Sequence, residues 1–390
     1  MKDIKTIDSL YHACTYGRAP VVFERGRGAR LWDDKGRDYI DFGSGIGVMS
    51  LGYANPEWVK AVSEQAAVLP HTSNLFYNEK TAMLAGRLAL RTHFERVFLS
   101  NSGAEANECL IKTARKWASD TKGEGEHPFV TLVNSFHGRT LTTVTATGQD
   151  TFHKFFGPFT PGFRYVPAGD LAALERQLDA EDCSAVQGEG GVRALDADYL
   201  KAVEALCHEK NVLFCVDEVQ TGNGRTGTWF AYEQFGLSPD LVSTAKGLGN
   251  GLPIGATLMG PKTAEVLTPG THGSTFGGNP VACAGALSVL EQIDDAFLEA
   301  VKQKGAWLTA ELEKIPGVKD VSGLGLMLGF SVEGCKSADI KAKALDNGLV
   351  VLTAKDRVRL LPPLAITEEE LSDGLLRLAA AIREVQEAAH

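Results

Sequence analysis

The sequence lacks the long apolar and basic stretches that mark membrane proteins and nucleic-acid-binding proteins. No apolar run is long enough to span a bilayer, and residues 1–8 contain no apolar core of a signal peptide. The formal net charge is −10 and no long basic run occurs, so we expect neither nucleic acid nor an anionic membrane as a partner.

Cysteine and histidine patterns for disulfides or metals are also missing. The seven cysteines are scattered, odd in number and never arranged as Cys-x-x-Cys, which argues against a disulfide framework and a zinc site. The nine histidines contain no His-Glu-x-x-His sequence, so we predict no metal. Scattered reduced thiols are typical of the cytoplasm, where we expect this protein to be located.

What is present is an alternation of short apolar runs with helical patterns. The runs at 97–99, 129–133, 211–216 and 240–244 predict strands, and 56–68, 80–90 and 200–210 predict helices. This order predicts an α/β fold with a mostly parallel central sheet and helices on both faces. Functional residues are then expected where the strands end.

The ends of the chain follow a different pattern. Residues 20–42 predict a small antiparallel region, and 326–330, 350–352 and 358–361 predict short strands before a closing helix at 367–389. The 390 residues suffice for two or three domains. We predict an N-terminal segment of a small domain at 1–50, a large domain at 51–285 and a C-terminal small α+β domain at 286–390.

Lys246 lies among small residues, just after the apolar pair Leu241 and Val242. Burial lowers the pKa of a lysine and leaves a nucleophilic amine, although an isolated lysine in a glycine-rich turn is more often incidental. Asp217 ends the preceding apolar run. Together the two residues are the anchors that pyridoxal 5'-phosphate (PLP) requires. The amine forms a Schiff base, and the carboxylate keeps the pyridine nitrogen protonated.

Three further stretches could complete such a site, and each has a plainer interpretation. Asn101-Ser102-Gly103-Ala104 begins a predicted helix, so it is either a phosphate site or an ordinary N-cap. Phe136 and Arg139 could stack on a ring and bind a carboxylate, or be a core aromatic and a surface arginine. The segment 272–279 offers two hydroxyls for a phosphate, or is a flexible connector.

The segment Gly222–Gly227 matches the G-x-G-x-x-G pattern of dinucleotide-binding proteins. In that motif the glycines directly follow a strand and open a helix. Here residues 217–221 intervene, and the glycines lead into Trp229 and Phe230. We therefore do not predict a dinucleotide site.

Taken together, the motifs resemble those of the class III aminotransferases over nearly the whole chain. The most specific segments are 101–106, 135–140, 187–192, 217–222, 245–248 and 272–280. The segments 71–77 and 251–256 are typical of the acetylornithine branch of the family. The resemblance implies the PLP-dependent transferase fold of type I.

The resemblance also implies individual roles. Lys246 and Asp217 would be catalytic, and Arg139, Arg359, Glu189 and Tyr16 would bind substrate. The cofactor-binding residues would be Ser102, Gly103, Ala104, Phe136, Asp217, Val219, Gln220, Lys246, Ser274 and Thr275. Ser274 and Thr275 would reach the phosphate of the partner subunit, so the active site would need a homodimer.

The implied reaction moves an amino group from N-acetylornithine to 2-oxoglutarate, giving N-acetylglutamate 5-semialdehyde and glutamate in arginine biosynthesis. A sister enzyme acting on ornithine, succinylornithine, succinyl-diaminopimelate or 4-aminobutyrate is the alternative. A PLP-fold protein that binds ligand without turnover is a third possibility.

Two departures from the family pattern bear on these expectations. The apolar run 183–186 joins Gln187 directly, whereas the family has a longer strand ending in Glu-Pro. This shortening could displace Glu189 or weaken the fold. Tyr53 stands where a histidine is usual.

Overall fold

The computed structural model describes residues 3–92, 94–178, 184–187 and 192–388, with 184–187 described as backbone. A seven-stranded sheet forms its centre, with strand order β4-β10-β9-β8-β7-β5-β6. The strands are β4 (Arg96–Ser100), β5 (Phe129–Leu132), β6 (Phe163–Val166), β7 (Ser184–Gln187), β8 (Leu213–Asp217), β9 (Leu241–Thr244) and β10 (Gly255–Met259).

The central sheet is mostly parallel, as predicted. β10 is antiparallel to both of its neighbours, β4 and β9, whereas β6, β5, β7, β8 and β9 pair in parallel. β6 and β10 were not predicted from the sequence. β10 follows a glycine-rich loop directly, and its reversed direction breaks the strand–helix alternation on which the prediction depended.

Helices accompany this sheet, and several have clear N-caps. They are α3 (Pro56–Val68), α4 (Glu79–Arg91), α5 (Gly103–Lys122), α6 (Leu141–Ala146), α7 (Asp150–His153), α8 (Leu171–Gln177), α9 (Ala197–Glu209) and α10 (Pro280–Gln292). In α3, the Asn55 side chain accepts a hydrogen bond from the Trp58 N–H, and Pro56 begins the helix. In α5, Leu110, Ile111, Ala114 and Trp117 are buried and form the inner face of the helix.

Two smaller sheets are built from the ends of the chain. The first has the order β1-β2-β3-β13, and the second has the order β11-β12-β15-β14. Their strands are β1 (Phe23–Arg27), β2 (Arg30–Asp33), β3 (Asp38–Asp41), β11 (Val318–Leu324), β12 (Met327–Val332), β13 (Leu349–Val350), β14 (Leu352–Ala354) and β15 (Arg357–Leu360). The single strand predicted at 350–352 was wrong, because its two halves pair in different sheets.

The remaining helices lie at the two ends of the chain. They are α1 (Ile4–Tyr11), the single turn α2 (Ser44–Gly47), α11 (Asp295–Leu312), α12 (Ser337–Asp346) and α13 (Glu368–Ala388). Because β13 pairs with β3, one sheet joins the N-terminal and C-terminal segments. The domain boundaries themselves stay a prediction. Within the described residues, no helix is long and apolar enough to cross a membrane.

The Gly222–Gly227 segment forms a packed turn between β8 and the 3₁₀ turn Ala231–Phe235. A Cβ at Gly224 would meet Ile293 and Leu298 at 3.2 Å, and one at Gly227 would meet Lys302 at 2.4 Å. Close packing against α11 and the end of α10 therefore explains why glycine occupies these positions.

Candidate active site

A cavity of about 780 Å³ opens at the carboxyl ends of β5, β8 and β9, where the sequence predicted the functional residues to meet. This volume falls within the usual range for ligand pockets. Ten predicted site residues line it: Ser102, Gly103, Ala104, Phe136, Arg139, Asp217, Val219, Gln220, Lys246 and Arg359.

Asp217, the last residue of β8, is buried at the base of the cavity. Its Oδ2 accepts hydrogen bonds from His137 Nδ1 at 2.7 Å and from Asn107 Nδ2 at 2.9 Å, and its Oδ1 accepts one from the Val219 N–H at 3.0 Å. Burial alone would raise the pKa of Asp217, but these contacts, led by His137, hold it below its usual value. The residue is thus a fixed negative charge in the wall of the cavity.

Lys246 follows β9 and is half-buried, with a left-handed backbone (φ 45°). Its Nζ donates a hydrogen bond to Gln220 Oε1 at 2.9 Å. Gln220 Nε2 in turn donates to the Ile46 carbonyl at 3.4 Å, and Ile46 also has a left-handed backbone (φ 70°). The amine is therefore oriented by a contact that reaches across to α2.

The N-terminus of α5 forms another wall of the cavity. Ser102 is its N-cap and accepts a hydrogen bond from the Glu105 N–H at 3.2 Å. A Cβ at Gly103 would lie 2.5 Å from Val219 Cγ1, and one at Gly138 would lie 2.4 Å from Thr143 Oγ1. Glycine at these two positions lets the backbone pack closely against Val219 and Thr143.

Two arginine side chains, Arg139 and Arg359, line the cavity. The Arg139 guanidinium carbon lies 4.0 Å from the centre of the Phe152 ring and 5.7 Å from that of Phe136. Arg359 is on β15 and is half-buried. The cavity therefore has two guanidinium groups, one after β5 and one on β15.

The other predicted site residues lie elsewhere. Tyr16 is 70% exposed in the segment after α1 and is not among the described residues that line the cavity. Ser274 and Thr275 line a neighbouring cavity, and Ser274 Oγ accepts a hydrogen bond from Asn101 Nδ2 at 3.2 Å. Glu189 lies outside the described residues. The roles of all four stay predictions.

No role was predicted for His137 and Asn107, whose side chains hold Asp217. Since a carboxylate only accepts hydrogen bonds, His137 Nδ1 carries the proton in their contact. Asn107 is in turn fixed by Ser243 Oγ, which donates to its Oδ1 at 2.6 Å. One signal was available, because Asn107 is a polar residue within the apolar inner face of α5.

Tyr53, the departure from the family pattern, contacts a loop beside the cavity. Its hydroxyl donates to Asp41 Oδ2 at 2.7 Å, while Asp41 Oδ1 accepts from the N–H groups of Gly43 and Ser44. Tyr53 therefore helps to hold the start of α2, whose Ile46 contacts Gln220.

The residues present fit PLP. A fixed carboxylate suits a protonated pyridine nitrogen, and Lys246 offers an amine on the same cavity wall. The α5 N-terminus, with Gly103 and Gly138 closely packed behind it, suits a phosphate.

Comparison with known proteins gives the family. The model for class III aminotransferases matches residues 11–382. The chain is 50% identical over 388 residues to an acetylornithine aminotransferase of Haemophilus ducreyi, covering 98% of this chain and 99% of that protein. It is 44% identical over 391 residues to an acetylornithine aminotransferase of Caldanaerobacter subterraneus, covering 98% and 99%.

Solved structures agree with this match. An ornithine aminotransferase from Toxoplasma gondii superimposes with a TM-score of 0.94 at 35% identity, covering 98% of this chain and 95% of that one. An N-acetylornithine aminotransferase from Stenotrophomonas maltophilia gives a TM-score of 0.85 at 37% identity, covering 98% and 99%. The predicted type I fold is confirmed. The chain therefore belongs to the class III aminotransferases, enzymes that use PLP as their cofactor.

Proposed function

We propose that this aminotransferase moves the amino group of N-acetylornithine to 2-oxoglutarate, producing N-acetylglutamate 5-semialdehyde and glutamate for arginine biosynthesis. The observation that carries the proposal is one cavity that holds an amine, a fixed carboxylate and two guanidinium groups, Lys246, Asp217, Arg139 and Arg359. The names of the relatives at 50% and 44% identity favour N-acetylornithine as the amino donor.

Each charged residue has a distinct part in this proposal. When bound, PLP supplies an electron sink for the carbon that carries the amino group. Lys246 would hold the cofactor and move the proton at that carbon, while Gln220 orients the Lys246 amine. Asp217 would hold a proton on the pyridine nitrogen, and the low pKa of its carboxyl group keeps it ionised for this purpose.

The two arginines suit the two substrates. Glutamate and 2-oxoglutarate carry two carboxylates, and Arg139 and Arg359 would bind one each. N-acetylornithine has no carboxylate beside its reacting amine, so Arg359 would need another partner in that half-reaction. The sequence offers Glu189 for this role. A charge-assisted hydrogen bond of this kind contributes about 1.5–3 kcal/mol.

The homodimer belongs to the same proposal. Ser274 and Thr275 face a cavity beside the α5 N-terminus rather than the one that holds Lys246. Leu75, Phe76 and Tyr77 lie in the same part of the chain as Asn74, which contacts the Ser274 carbonyl, and all three are largely exposed. A partner subunit would cover these side chains. The cytoplasmic location predicted from the cysteines is also part of this proposal.

A sister enzyme acting on ornithine is the second candidate. The fold does not separate the two, because the Toxoplasma gondii ornithine aminotransferase superimposes with a TM-score of 0.94. Binding without turnover is disfavoured by the arrangement of Lys246, Asp217 and Arg139 in one cavity.

A panel of amino donors with 2-oxoglutarate as the acceptor tests the proposal. We expect kcat/KM for N-acetylornithine to exceed that for ornithine and 4-aminobutyrate by about tenfold or more, since a donor that lacks a matched contact loses 1–3 kcal/mol. Higher kcat/KM for ornithine would assign the protein to the sister activity. No glutamate formation with any donor would show a binding protein.

A further inference from the structure

A fourth basic side chain lines the outer part of the cavity. Lys355 is exposed and lies on the same cavity as Lys246, Arg139 and Arg359. Its Nζ donates a hydrogen bond to Asn134 Oδ1 at 2.6 Å. Lys355 belongs to the β14–β15 hairpin, whereas Asn134 follows β5 of the central sheet, so the contact connects two sides of the cavity.

The backbone at Lys355 is one that a lysine rarely adopts. Ala354 pairs with Arg357, so Lys355 and Asp356 are the two residues of a tight hairpin turn. Lys355 has φ 57°, and glycine is the usual residue at such a position. A lysine there costs backbone energy, which is a pattern typical of functional sites. Asn134 is also left-handed (φ 70°), but asparagine tolerates this region well.

The proposed reaction leaves Lys355 without a function. The two carboxylates of glutamate are matched by Arg139 and Arg359, and Asp217 is matched by the pyridine nitrogen. Lys355 is then a surplus positive charge at the outer part of the cavity. The amino donor has one more group than glutamate to place there, which is its N-acyl group.

We propose that Lys355 is a specificity-determining residue that binds the acyl group of the amino donor and favours acyl groups with a carboxylate of their own. This inference rests on the proposed function. Asn134 would hold the long lysine side chain over the cavity in the free enzyme, which reduces the entropy lost when the substrate binds. The substrate carboxylate would then bind the Lys355 ammonium group directly.

The test compares N-succinylornithine with N-acetylornithine at saturating 2-oxoglutarate. Lys355→Gln keeps a hydrogen-bond donor but removes the charge. We expect it to lower kcat/KM for N-succinylornithine about fivefold or more, mainly through KM, and kcat/KM for N-acetylornithine by less than about twofold. Lys355→Arg should keep the ratio of the two values. Lys341→Gln, which removes an exposed lysine on α12, is the matched control and should leave both values unchanged.

Different failures have different meanings. If wild-type enzyme transfers an amino group from neither donor, both the proposed function and this inference are overturned. If it transfers normally but Lys355→Gln changes both donors equally or neither, only this inference is overturned. The inference also fails if Lys355→Arg changes the ratio of the two kcat/KM values as much as Lys355→Gln does, because the positive charge would then not determine the preference.

Discussion

The carboxyl group of Asp217 shows how single residues prepare this site. A buried carboxylate is costly, yet His137, Asn107 and the Val219 N–H all donate hydrogen bonds to it. These contacts keep the pKa of Asp217 low despite its burial. The negative charge is therefore part of the folded protein and does not depend on the cofactor for its ionisation.

We predict that Asp217→Ala keeps some PLP but loses most of its transamination activity. The α5 N-terminus and Lys246 still hold the cofactor, whereas the pyridine nitrogen loses the carboxylate that keeps it protonated. Absorbance spectra measure the bound cofactor, and stopped-flow traces with glutamate measure the half-reaction. A variant with near-normal turnover would show that Asp217 is not the partner of the pyridine nitrogen.

Glu218 is a second buried acid, and it points away from this chemistry. It accepts hydrogen bonds from the Tyr232 N–H at 2.9 Å and from the Thr221 hydroxyl. Burial raises the pKa of Glu218 from 4.5 to about 7. A raised pKa in the folded protein means that its contribution to stability is complete below the unfolded pKa and is lost as pH rises through about 7.

We therefore expect Glu218→Gln to gain stability relative to the wild-type protein as pH rises from about 5.5 to about 7.5. Glutamine can accept from the Tyr232 N–H and donate to the Thr221 hydroxyl without carrying charge. Urea unfolding at both pH values measures the difference. Glu333→Gln, at an exposed position, should keep the wild-type pH dependence. Equal pH dependence in wild type and Glu218→Gln would contradict the assignment.

At the level of single residues, the sequence allowed a prediction where a reactive side chain lies at the end of a predicted strand. Lys246 and Asp217 could be found because each follows a short apolar run, and both lie in the cavity. The pairing of His137 with Asp217 could not be predicted, since it depends on β5 and β8 lying on either side of β7 in the central sheet. Placement of Tyr16 in the substrate pocket came from the family resemblance alone.

Among the elements, prediction succeeded where local signals agree. The bounds of α3 matched the prediction because a cap, a proline and an apolar face all mark the same helix. β10 was missed because its antiparallel direction is set by its neighbours β4 and β9, not by its own residues. The split between β13 and β14 was missed for a similar reason.

The closing helix α13 is held in place by a group of alternating charges. Arg377 Nε donates to Asp373 Oδ1, its Nη2 to Asp38 Oδ2 and its Nη1 to the Gly348 carbonyl, each at 2.9 Å. Arg30 contacts both aspartates at 3.0 Å. The side chains are partly exposed, so each ion pair alone is weak, and the network adds to the close packing of α13 against β3.

We expect Arg377→Met to lower the free energy of unfolding by about 1–2 kcal/mol, since it removes two charge-assisted contacts and a backbone partner at a half-buried site. Methionine keeps much of the apolar stem. Urea unfolding compares it with Arg383→Met, an exposed position on the same helix that should change stability by less than about 0.5 kcal/mol. Equal effects at both positions would show that the network is not what stabilises α13.

For the whole molecule, the proposed dimer makes each active site depend on two chains. Lys246 and Asp217 line one cavity, whereas Ser274 and Thr275 line another. If Ser274 and Thr275 belong to the partner's active site, a hybrid dimer of two differently mutated chains contains one intact site. If they belong to the active site of their own chain, both sites of the hybrid lack a residue.

We predict that a hybrid dimer of a Lys246→Ala chain and a Ser274→Ala/Thr275→Ala chain recovers about half of wild-type activity, because one of its two sites is intact. Two affinity tags on co-expressed chains allow the hybrid to be purified. A hybrid of Lys246→Ala with Asp217→Ala should be inactive, since each site lacks one residue. A first hybrid as inactive as its parents would contradict the shared site.

In the proposed enzyme, the whole fold presents Lys246 to the cofactor. Borohydride reduction of the purified yellow holoenzyme, followed by peptide mapping, tests it most directly. We predict one reduced cofactor per chain, attached to the peptide that contains Lys246. Attachment at another lysine, or no attachment, would contradict the account.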